Sequence, residues 1–410
     1  MLIGIDFGTT NSVVAIGQPD GTVRTVRVGT HDVFRTVLCF WLDGGRLEHA
    51  AGPDGVRAYL DDPVDSRLIM SMKTYLAQAS FKETRVHGRT FTLEALVATF
   101  LRALLAGQDL RGARVTVGRP VRFAGESADD ALGEARLRES FRQAGLDCIE
   151  VAFEPEAAGH GFTSSLRDPA TLLIGDFGGG TSDFSLLRFE PGTERPVTPL
   201  ATVGLGVAGD SLDARIIDRV VAPRLGKDTT YRVMRNHMPI PVEYYAGLSR
   251  WHRLSMMRTP RVLRDIAEVA RTSAEPEQLH ALIALIQEEG GYRLYQAVSG
   301  LKAALSAADE ARLRFETGSV AIDAAVTRAE FEDWIAPELA QFSGAVDRVL
   351  AQAGLASRDV DRVFLTGGTA FVPAVRRLFE ARFGAERVGG GGEFTSVAEG
   401  LVAIGASRGA

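Results

Sequence analysis

Apolar residues near the start of the chain form two short runs that are separated by a glycine turn. Leu2 to Asp6 has the pattern of a first strand, Gly8 that of a tight turn, and Ser12 to Ile16 that of a second strand. Short apolar runs between turn residues are typical of buried strands. The segment therefore predicts a β-hairpin with Asp6 close to its turn.

A second hairpin with the same features begins near residue 171. Thr171 to Asp176 is an apolar strand, Gly178 to Gly180 form the turn, and Phe184 to Phe189 is the return strand. Two further short strands, 114–117 and 363–365, each run into glycine and a polar loop. A repeated set of this kind predicts two lobes of like fold, with a ligand site between them at the strand ends.

Helical spacing of apolar residues covers much of the remaining chain. It predicts helices over 93–105 and from about 126 to 144, mostly helical structure over 214–310, and a final helix from Ser396. The glycine run 389–392 is typical of a loop before that helix. Helices that alternate with strands indicate an α/β protein.

Composition narrows the class of protein. The chain has 410 residues, of which 45% are hydrophobic and 24% charged, with a formal net charge of −6. This length predicts two or more domains, and the acidic charge argues against a nucleic-acid partner. We find no apolar run that could span a bilayer and no signal-peptide pattern. Since Cys39 and Cys148 lie far apart, we expect free thiols, a cytoplasmic location and no membrane partner.

Each predicted hairpin supplies the same chemical parts. Glycines allow backbone N–H groups to approach a phosphate, threonines add hydroxyl donors, and Asp6 and Asp176 provide one carboxylate each. Two carboxylates suit a magnesium ion that keeps its waters and bridges to phosphate. A plain hairpin that uses Asp and Gly as turn formers is the alternative for one motif alone. Two copies in matched contexts favour the phosphate site.

Lysine is rare, because the only lysines are Lys73, Lys82, Lys227 and Lys302. A compact ammonium beside a phosphate is a role that arginine fills poorly. Lys73 in the cleft would orient the attacking water and neutralise charge on the γ-phosphate, although by sequence alone a solvated surface lysine is the favoured interpretation. Glu154 precedes a proline that suits the first turn of a helix, so Glu154 would stand at a helix N-terminus. There it is either a capping acid or a carboxylate that faces the cleft.

The motifs, taken in order, resemble the ATPase domain of the seventy-kilodalton heat-shock chaperone (DnaK-like) family. The resemblance runs from residue 2 to about 407, and the loop 118–121 is similar to that of the truncated YegD-like chaperones. The motifs similar to the family's first phosphate, hinge-side acidic, second phosphate and adenosine motifs are 4–12, 154–158, 176–183 and 367–373.

This resemblance implies an actin-like ATPase fold, in which two duplicated ribonuclease-H-like lobes flank a nucleotide cleft. Lobe I would comprise 1–168, with 31–110 as an inserted subdomain IB and the C-terminal helix 386–410 returning to it. Lobe II would comprise 169–385, with 214–310 as subdomain IIB. Because the chain ends at Ala410, we expect it to lack the family's peptide-binding domain.

The resemblance also implies roles for single residues. Asp6 and Asp176 would hold magnesium through water, Lys73 would be the catalytic lysine, and Glu154 would bind a metal water, with Thr181 completing the catalytic set. Pro120 would match an inter-lobe switch proline. The implied nucleotide-binding residues are Gly8, Thr9, Thr10, Asn11, Gly178, Gly179, Gly180, Thr181, Gly209, Asp210, Lys302, Ser306, Gly367, Gly368, Thr369 and Phe371.

The chain departs from the family pattern on the adenine side. Phe371 and Ala303 stand where the family usually stacks the base between two arginines, and Ser299 replaces a glutamate. The arginine that normally relays the switch after Pro120 has no clear counterpart. We therefore expect loose adenine binding with poor selectivity for the base.

These observations favour an ATP hydrolase that uses ATP/ADP and Mg²⁺. Its slow hydrolytic cycle would open and close the lobes and couple them to a partner protein or co-chaperone. A non-catalytic nucleotide sensor, a small-molecule kinase and a cytomotive filament protein of the same superfold are the alternatives, since a fold alone does not fix a reaction. A kinase would need a substrate-facing aspartate in the first lobe, and the sequence offers no convincing one.

Overall fold

The computed structural model describes residues 1–29, 33–124, 127–163, 166–193, 197–248, 254, 257–389 and 395–407. The chain divides into two compact units, of which unit 1 comprises Met1–Gly209 with Leu339–Ala410 and unit 2 comprises Asp210–Glu338. Both units combine helices with strands. The lobe and subdomain boundaries given above stay predictions.

Strands and helices are interspersed along the described part of the chain. The strands are β1 Leu2–Phe7, β2 Asn11–Gly17, β3 Val23–Thr25, β4 Phe34–Arg35, β5 Val37–Asp43, β6 Arg46–Ala51, β7 Arg67–Met70, β8 Glu83–Val86, β9 Arg89–Thr92, β10 Arg114–Arg119, β11 Ile149–Phe153, β12 Ala170–Phe177, β13 Ser182–Phe189, β14 Val197–Leu205, β15 Thr230–Val233, β16 Asn236–Pro239, β17 Glu310–Thr317, β18 Val320–Thr327, β19 Arg362–Thr366 and β20 Val388–Gly389. The α-helices are α1 Gly52–Asp61, α2 Leu93–Leu104, α3 Asp130–Gln143, α4 Glu154–Thr163, α5 Gly209–Ile216, α6 Pro260–Ala270, α7 Pro276–Gln287, α8 Gly291–Ala307, α9 Arg328–Trp334, α10 Ala336–Ala353, α11 Pro373–Phe383 and α12 Ser396–Ser407.

Unit 1 contains two sheets with the same topology. The first has the order β11-β10-β1-β2-β3, with β4 also paired to β2, and the second has the order β14-β13-β12-β19-β20. In each sheet the first strand (β1 or β12) is followed by two antiparallel strands (β2 and β3, or β13 and β14). Two later strands (β10 and β11, or β19 and β20) run parallel to that first strand. The duplication predicted from the two hairpins and the two later strands is therefore confirmed at the level of strand order.

Two helices, α4 and α12, pack together against these sheets. A Cβ atom at Gly400 would lie 1.7 Å from the carbonyl oxygen of Ala157, and one at Gly4 would lie 2.1 Å from that of Ala398. These positions accept only glycine, because the backbones approach too closely for any side chain. The helices share an apolar core with the second sheet. The residues of this core include Ala158, Leu172, Ile174, Leu187, Val397, Leu401 and Ile404.

Several element boundaries differ from the sequence-based expectation. The strand expected over 114–117 continues through Gly118 to Arg119, paired with β11. The charged helix expected from about 126 begins at Asp130, because the Asp129 side chain accepts a hydrogen bond from Leu132 N and caps it. Residue 126 lies outside the described residues, as do 390–392 of the predicted glycine loop and 408–410 at the end of the chain. The predicted final helix from Ser396 is confirmed.

Unit 2 combines the helices α6, α7 and α8 with two hairpins, β15–β16 and β17–β18. Apolar residues of α7, including Leu279 and Leu282, are fully buried. Side chains of β17 and β18 alternate between buried and exposed, which is the pattern of a sheet with one face on the core. Among the described residues, no helix combines the length and the apolar character that a membrane span requires.

Candidate functional site

The turns of the two long hairpins lie next to each other in unit 1. A Cβ atom at Gly180 would lie 3.7 Å from Thr74 Oγ1 and 3.8 Å from Thr9 Cγ2. A Cβ atom at Gly8 would lie 2.1 Å from the carbonyl oxygen of Asn11, so the first turn needs glycine. The second turn is closed by Gly178 N, which donates to the carbonyl oxygen of Thr181 at 2.9 Å. The fold thus brings together the two glycine turns that the sequence analysis predicts to contact phosphates.

Three aspartates line the hairpins beside these turns. Asp6 lies near the end of β1 and Asp176 near the end of β12. Asp183 on β13 pairs directly with Asp176 across the second hairpin and is only 2% exposed. Asp183 has no role among the sequence-based predictions, although its place across the turn from Asp176 was a signal that could have found it.

Lys73 and Glu154 form a buried ion pair. The distance from Lys73 Nζ to Glu154 Oε1 is 2.5 Å, and each residue is 6% exposed. Lys73 comes from the 3-10 helix Met72–Tyr75, and Glu154 is the first residue of α4. The alternative of a solvated surface lysine is therefore wrong for Lys73. Glu154 does stand at a helix N-terminus, as its following proline predicted, but its side chain binds the ammonium.

The cluster contains more acidic than basic groups. Burial and the charges of Glu154 and Asp176 raise the pKa of Asp6 to about 8, and burial and Glu154 raise that of Asp176 to about 7. Burial, followed by Glu154, raises the pKa of Asp183 well above its usual value. Burial alone would lower the pKa of Lys73, but the carboxylates of Glu154 and Asp6 outweigh it and raise the pKa.

This charge imbalance fits a divalent cation. Carboxylate oxygens are the donors that magnesium prefers, and it commonly keeps several waters and uses one or two carboxylates. Within the described ranges, no group of three or more His, Cys, Asp or Glu side chains is arranged to hold a metal ion.

The loop after β19 packs onto the second hairpin. Gly367 has a φ of 86°, and a Cβ atom there would lie 2.0 Å from the carbonyl oxygen of Phe177. Gly368 begins a 3-10 helix that ends at Phe371, whose side chain is 52% exposed. Thr369 is only 2% exposed, so its side chain faces the interior. The loop thus presents an exposed aromatic ring from a closely packed base.

The remaining residues that are predicted to bind nucleotide near the two turns make local contacts. The carbonyl oxygen of Thr10 accepts a hydrogen bond from Thr36 N at 2.9 Å, and Asn11 Oδ1 accepts one from Arg35 Nη1 at 3.5 Å. Gly209 N donates to the carbonyl oxygen of Gly178 at 3.3 Å, next to the second turn, where Gly179 also lies. These residues therefore belong to unit 1 with the two hairpins.

Lys302 and Ser306 lie on α8 in unit 2, as does Asp210 on α5. Lys302 Nζ lies 2.8 Å from Asp213 Oδ1, and the Ser306 hydroxyl donates to the carbonyl oxygen of Lys302 at 3.1 Å. Asp213, which the sequence analysis did not name, supplies a buried carboxylate partner for Lys302. The nucleoside-binding roles of Lys302, Ser306 and Asp210 stay predictions.

Comparison with known proteins agrees with the motif order. The family model for the Hsp70 protein matches residues 285–407. The chaperone protein DnaK of Thermotoga petrophila is 26% identical over 398 residues, an alignment that covers 94% of this chain and 56% of that DnaK. The chain thus spans about half the length of the curated relative it matches. The chain is similar to the Hsp70 (DnaK-like) family over these ranges, which agrees with the actin-like ATPase fold that its motifs predict.

Proposed function

We propose that the protein binds ATP with magnesium and hydrolyses it slowly, as a chaperone-like ATPase. The observation that carries the proposal is the buried Lys73–Glu154 pair among three aspartates, beside two adjacent glycine turns. Similarity to the Hsp70 family supports an ATP-binding function. The similarity to the family does not by itself support hydrolysis by this chain or its coupling to a partner protein.

The two glycine turns would bind the phosphates of ATP. Backbone N–H groups at Gly8, Gly179 and Gly180 can approach a phosphate closely, because these positions carry no side chain. The Gly178 N–H instead closes the second turn. The hydroxyls of Thr9, Thr10 and Thr181 would add donors to the phosphates or to the attacking water. Binding of this kind fixes the γ-phosphate in one orientation, which is the main requirement of phosphoryl transfer.

Asp6 and Asp176 would hold a magnesium ion through its water shell. Magnesium held there would neutralise negative charge on the phosphates of ATP. Asp183 lies opposite Asp176 in the register and belongs to the same group of carboxylates. Burial, and after it the charges of neighbouring carboxylates, raises the pKa values of all three aspartates, and a cation placed here would lower them by stabilising the ionised forms.

Lys73 would act on the transferring phosphoryl group. Its ammonium is charged, buried and held by Glu154, so it can stabilise negative charge that develops in the transition state without reorganising. Glu154 would fix the direction of the ammonium and also contact a water of the metal shell. An ammonium prepared in this way accelerates hydrolysis more than it strengthens ATP binding.

The output of the cycle would be a change in how a partner protein or co-chaperone binds, driven by movement of the predicted lobes. This part of the proposal rests on the family alone, and the partner, like the cytoplasmic location, stays a prediction. ATP and ADP would favour different states of the protein through different contacts with the cluster around Lys73.

Phosphate release and calorimetry test the proposal together. We expect Mg-ATP to bind with micromolar affinity, chelation of magnesium with EDTA to weaken binding strongly, and phosphate release to be slow but dependent on magnesium. Asp176→Asn should weaken the magnesium dependence. Binding without any turnover would identify a nucleotide sensor instead, and no binding of any nucleotide would refute the proposal.

A further inference from the structure

The segment that carries Lys73 has little regular structure of its own. The 3-10 helix Met72–Tyr75 has four residues and is entered at Ser71, which adopts a left-handed φ of 55°. Non-glycine residues rarely adopt this conformation. Short turns follow until β8 begins at Glu83. Because so short a helix leaves its last carbonyl groups without partners inside the helix, the position of Lys73 depends on contacts from other elements.

Arg136 on α3 supplies these contacts through a single guanidinium. Its Nη1 atom donates to the carbonyl oxygens of Tyr75 at 3.3 Å, Leu76 at 3.2 Å and Gln78 at 3.0 Å. Its Nη2 atom donates to the carbonyl oxygen of Phe81 at 2.8 Å. The planar guanidinium therefore donates hydrogen bonds to four backbone carbonyl oxygens in the segment that directly follows Lys73.

The guanidinium is itself held in place. Arg136 Nε lies 3.3 Å from Glu94 Oε1 on α2, and the arginine side chain is only 13% exposed. Asp129, which directly precedes α3, makes a second connection. Its backbone amide donates a hydrogen bond to the carbonyl oxygen of Ala77 at 3.0 Å. Within the segment, Gln78 Nε2 donates to the carbonyl oxygen of Thr74 at 3.0 Å. The Lys73 segment is thus fastened to the two helices beside it.

We propose that Arg136 is a positioning residue for Lys73, so that loss of its guanidinium lowers the rate of hydrolysis with little effect on nucleotide binding. The inference rests on the proposed function of Lys73. Arg136 makes its four contacts with backbone carbonyls that follow Lys73, and it acts through the path of the chain. Lysine cannot replace it fully, because an ammonium is a compact donor and lacks the fork that reaches several separated acceptors.

Three variants test the positioning role. Arg136→Met removes every donor, Arg136→Lys keeps the charge, and Arg142→Met is the control on the same helix. Arg142 is 58% exposed at its side chain and pairs with Glu139 three residues away. For Arg136→Met we expect single-turnover hydrolysis to slow by roughly 10- to 100-fold, since a misplacement of about 1 Å can cost that much. The dissociation constant for Mg-ATP should change by less than about twofold, Arg136→Lys should be intermediate, and Arg142→Met should match wild type.

Hydrogen exchange separates the positioning role from the proposed function. In nucleotide-free protein, Arg136→Met should speed amide exchange in residues 71–81 and leave β1, β12 and α4 protected. If wild type does not hydrolyse ATP, the proposed function fails, and this local exchange still decides whether Arg136 holds the segment. Unchanged exchange and turnover in Arg136→Met would overturn the inference. Faster exchange throughout unit 1 with normal turnover by the folded protein would also overturn it, because that outcome shows a purely structural role. If Arg136→Met does not fold, Arg136→Lys decides by the same two readouts.

Discussion

Removing the ammonium of Lys73 should destabilise the nucleotide-free protein more than removing the carboxylate of Glu154. The two residues form one buried pair, but their surroundings are not symmetric. Lys73→Met would leave the carboxyl groups of Glu154, Asp6, Asp176 and Asp183 without the positive charge that offsets them. Glu154→Gln would leave the ammonium with three aspartates and would remove a charge that raises the pKa of each of them.

The size of the difference follows from burial. Lys73 and Glu154 are each 6% exposed, and removal of one partner from a buried pair costs about 3–5 kcal/mol of stability. We expect Lys73→Met to lie in that range. Glu154→Gln loses one charged hydrogen bond but relieves repulsion, so about 1–2 kcal/mol is expected. The double variant should be more stable than the sum of the single changes by about 1–3 kcal/mol, which is the coupling of residues in contact.

Chemical denaturation at pH 8 without nucleotide or magnesium measures these free energies of unfolding. Lys82→Met provides the matched control, because Lys82 is exposed and a surface substitution of this kind changes stability by less than about 0.5 kcal/mol. Equal decreases in the free energy of unfolding for Lys73→Met and Glu154→Gln would show that the surrounding aspartates do not interact electrostatically with the pair. Strict additivity in the double variant would show that the pair does not form in solution.

Three further changes probe the carboxyl cluster, the third loop and the base site. Asp183→Asn should stabilise the nucleotide-free protein at pH 8 by about 1 kcal/mol or more, because the folded state raises the pKa of Asp183 and ionisation there opposes folding; a lower denaturation midpoint would contradict this. Gly367→Ala should cost at least about 2 kcal/mol, since its Cβ atom would lie 2.0 Å from the carbonyl oxygen of Phe177 at a positive φ, whereas the control Gly206→Ala meets no atom within 4 Å; equal thermal melting points would refute the contact. Phe371→Ala should weaken ATP binding about tenfold, or ~1.4 kcal/mol, and GTP should compete noticeably with ATP in wild type; nanomolar ATP affinity without GTP binding in calorimetry would show that another residue stacks on the base.

Local sequence patterns predicted the strands that carry the site. The hairpins at Asp6 and Asp176 each combine an apolar run with a glycine turn, and the structure gives both of them and the repeated strand order. These features depend on neighbouring residues in the chain, so a linear pattern contains them. The glycine turn at Gly8 is a clear case, because the constraint comes from Asn11 three residues later.

Contacts between distant segments were beyond the reach of those patterns. The pairing of Lys73 with Glu154 spans 81 positions, and by sequence alone a solvated surface lysine was the favoured interpretation of Lys73. Asp183, by contrast, lies in the same predicted hairpin as Asp176, so its position opposite Asp176 could have been found from the sequence. Arg136 gave no signal, because its partners are backbone carbonyls, which have no distinctive residue type.

The central claim is that Lys73 stabilises the transition state of ATP hydrolysis, and single-turnover hydrolysis of Mg-ATP by wild type and Lys73→Ala tests it most directly. Both proteins should be checked for folding, and the dissociation constant for Mg-ATP should be measured for each. We predict that Lys73→Ala loses roughly 100-fold or more in rate, as removal of one preorganised donor does elsewhere, while ATP binding stays within a few-fold of wild type. Hydrolysis by folded Lys73→Ala at the wild-type rate would contradict the account.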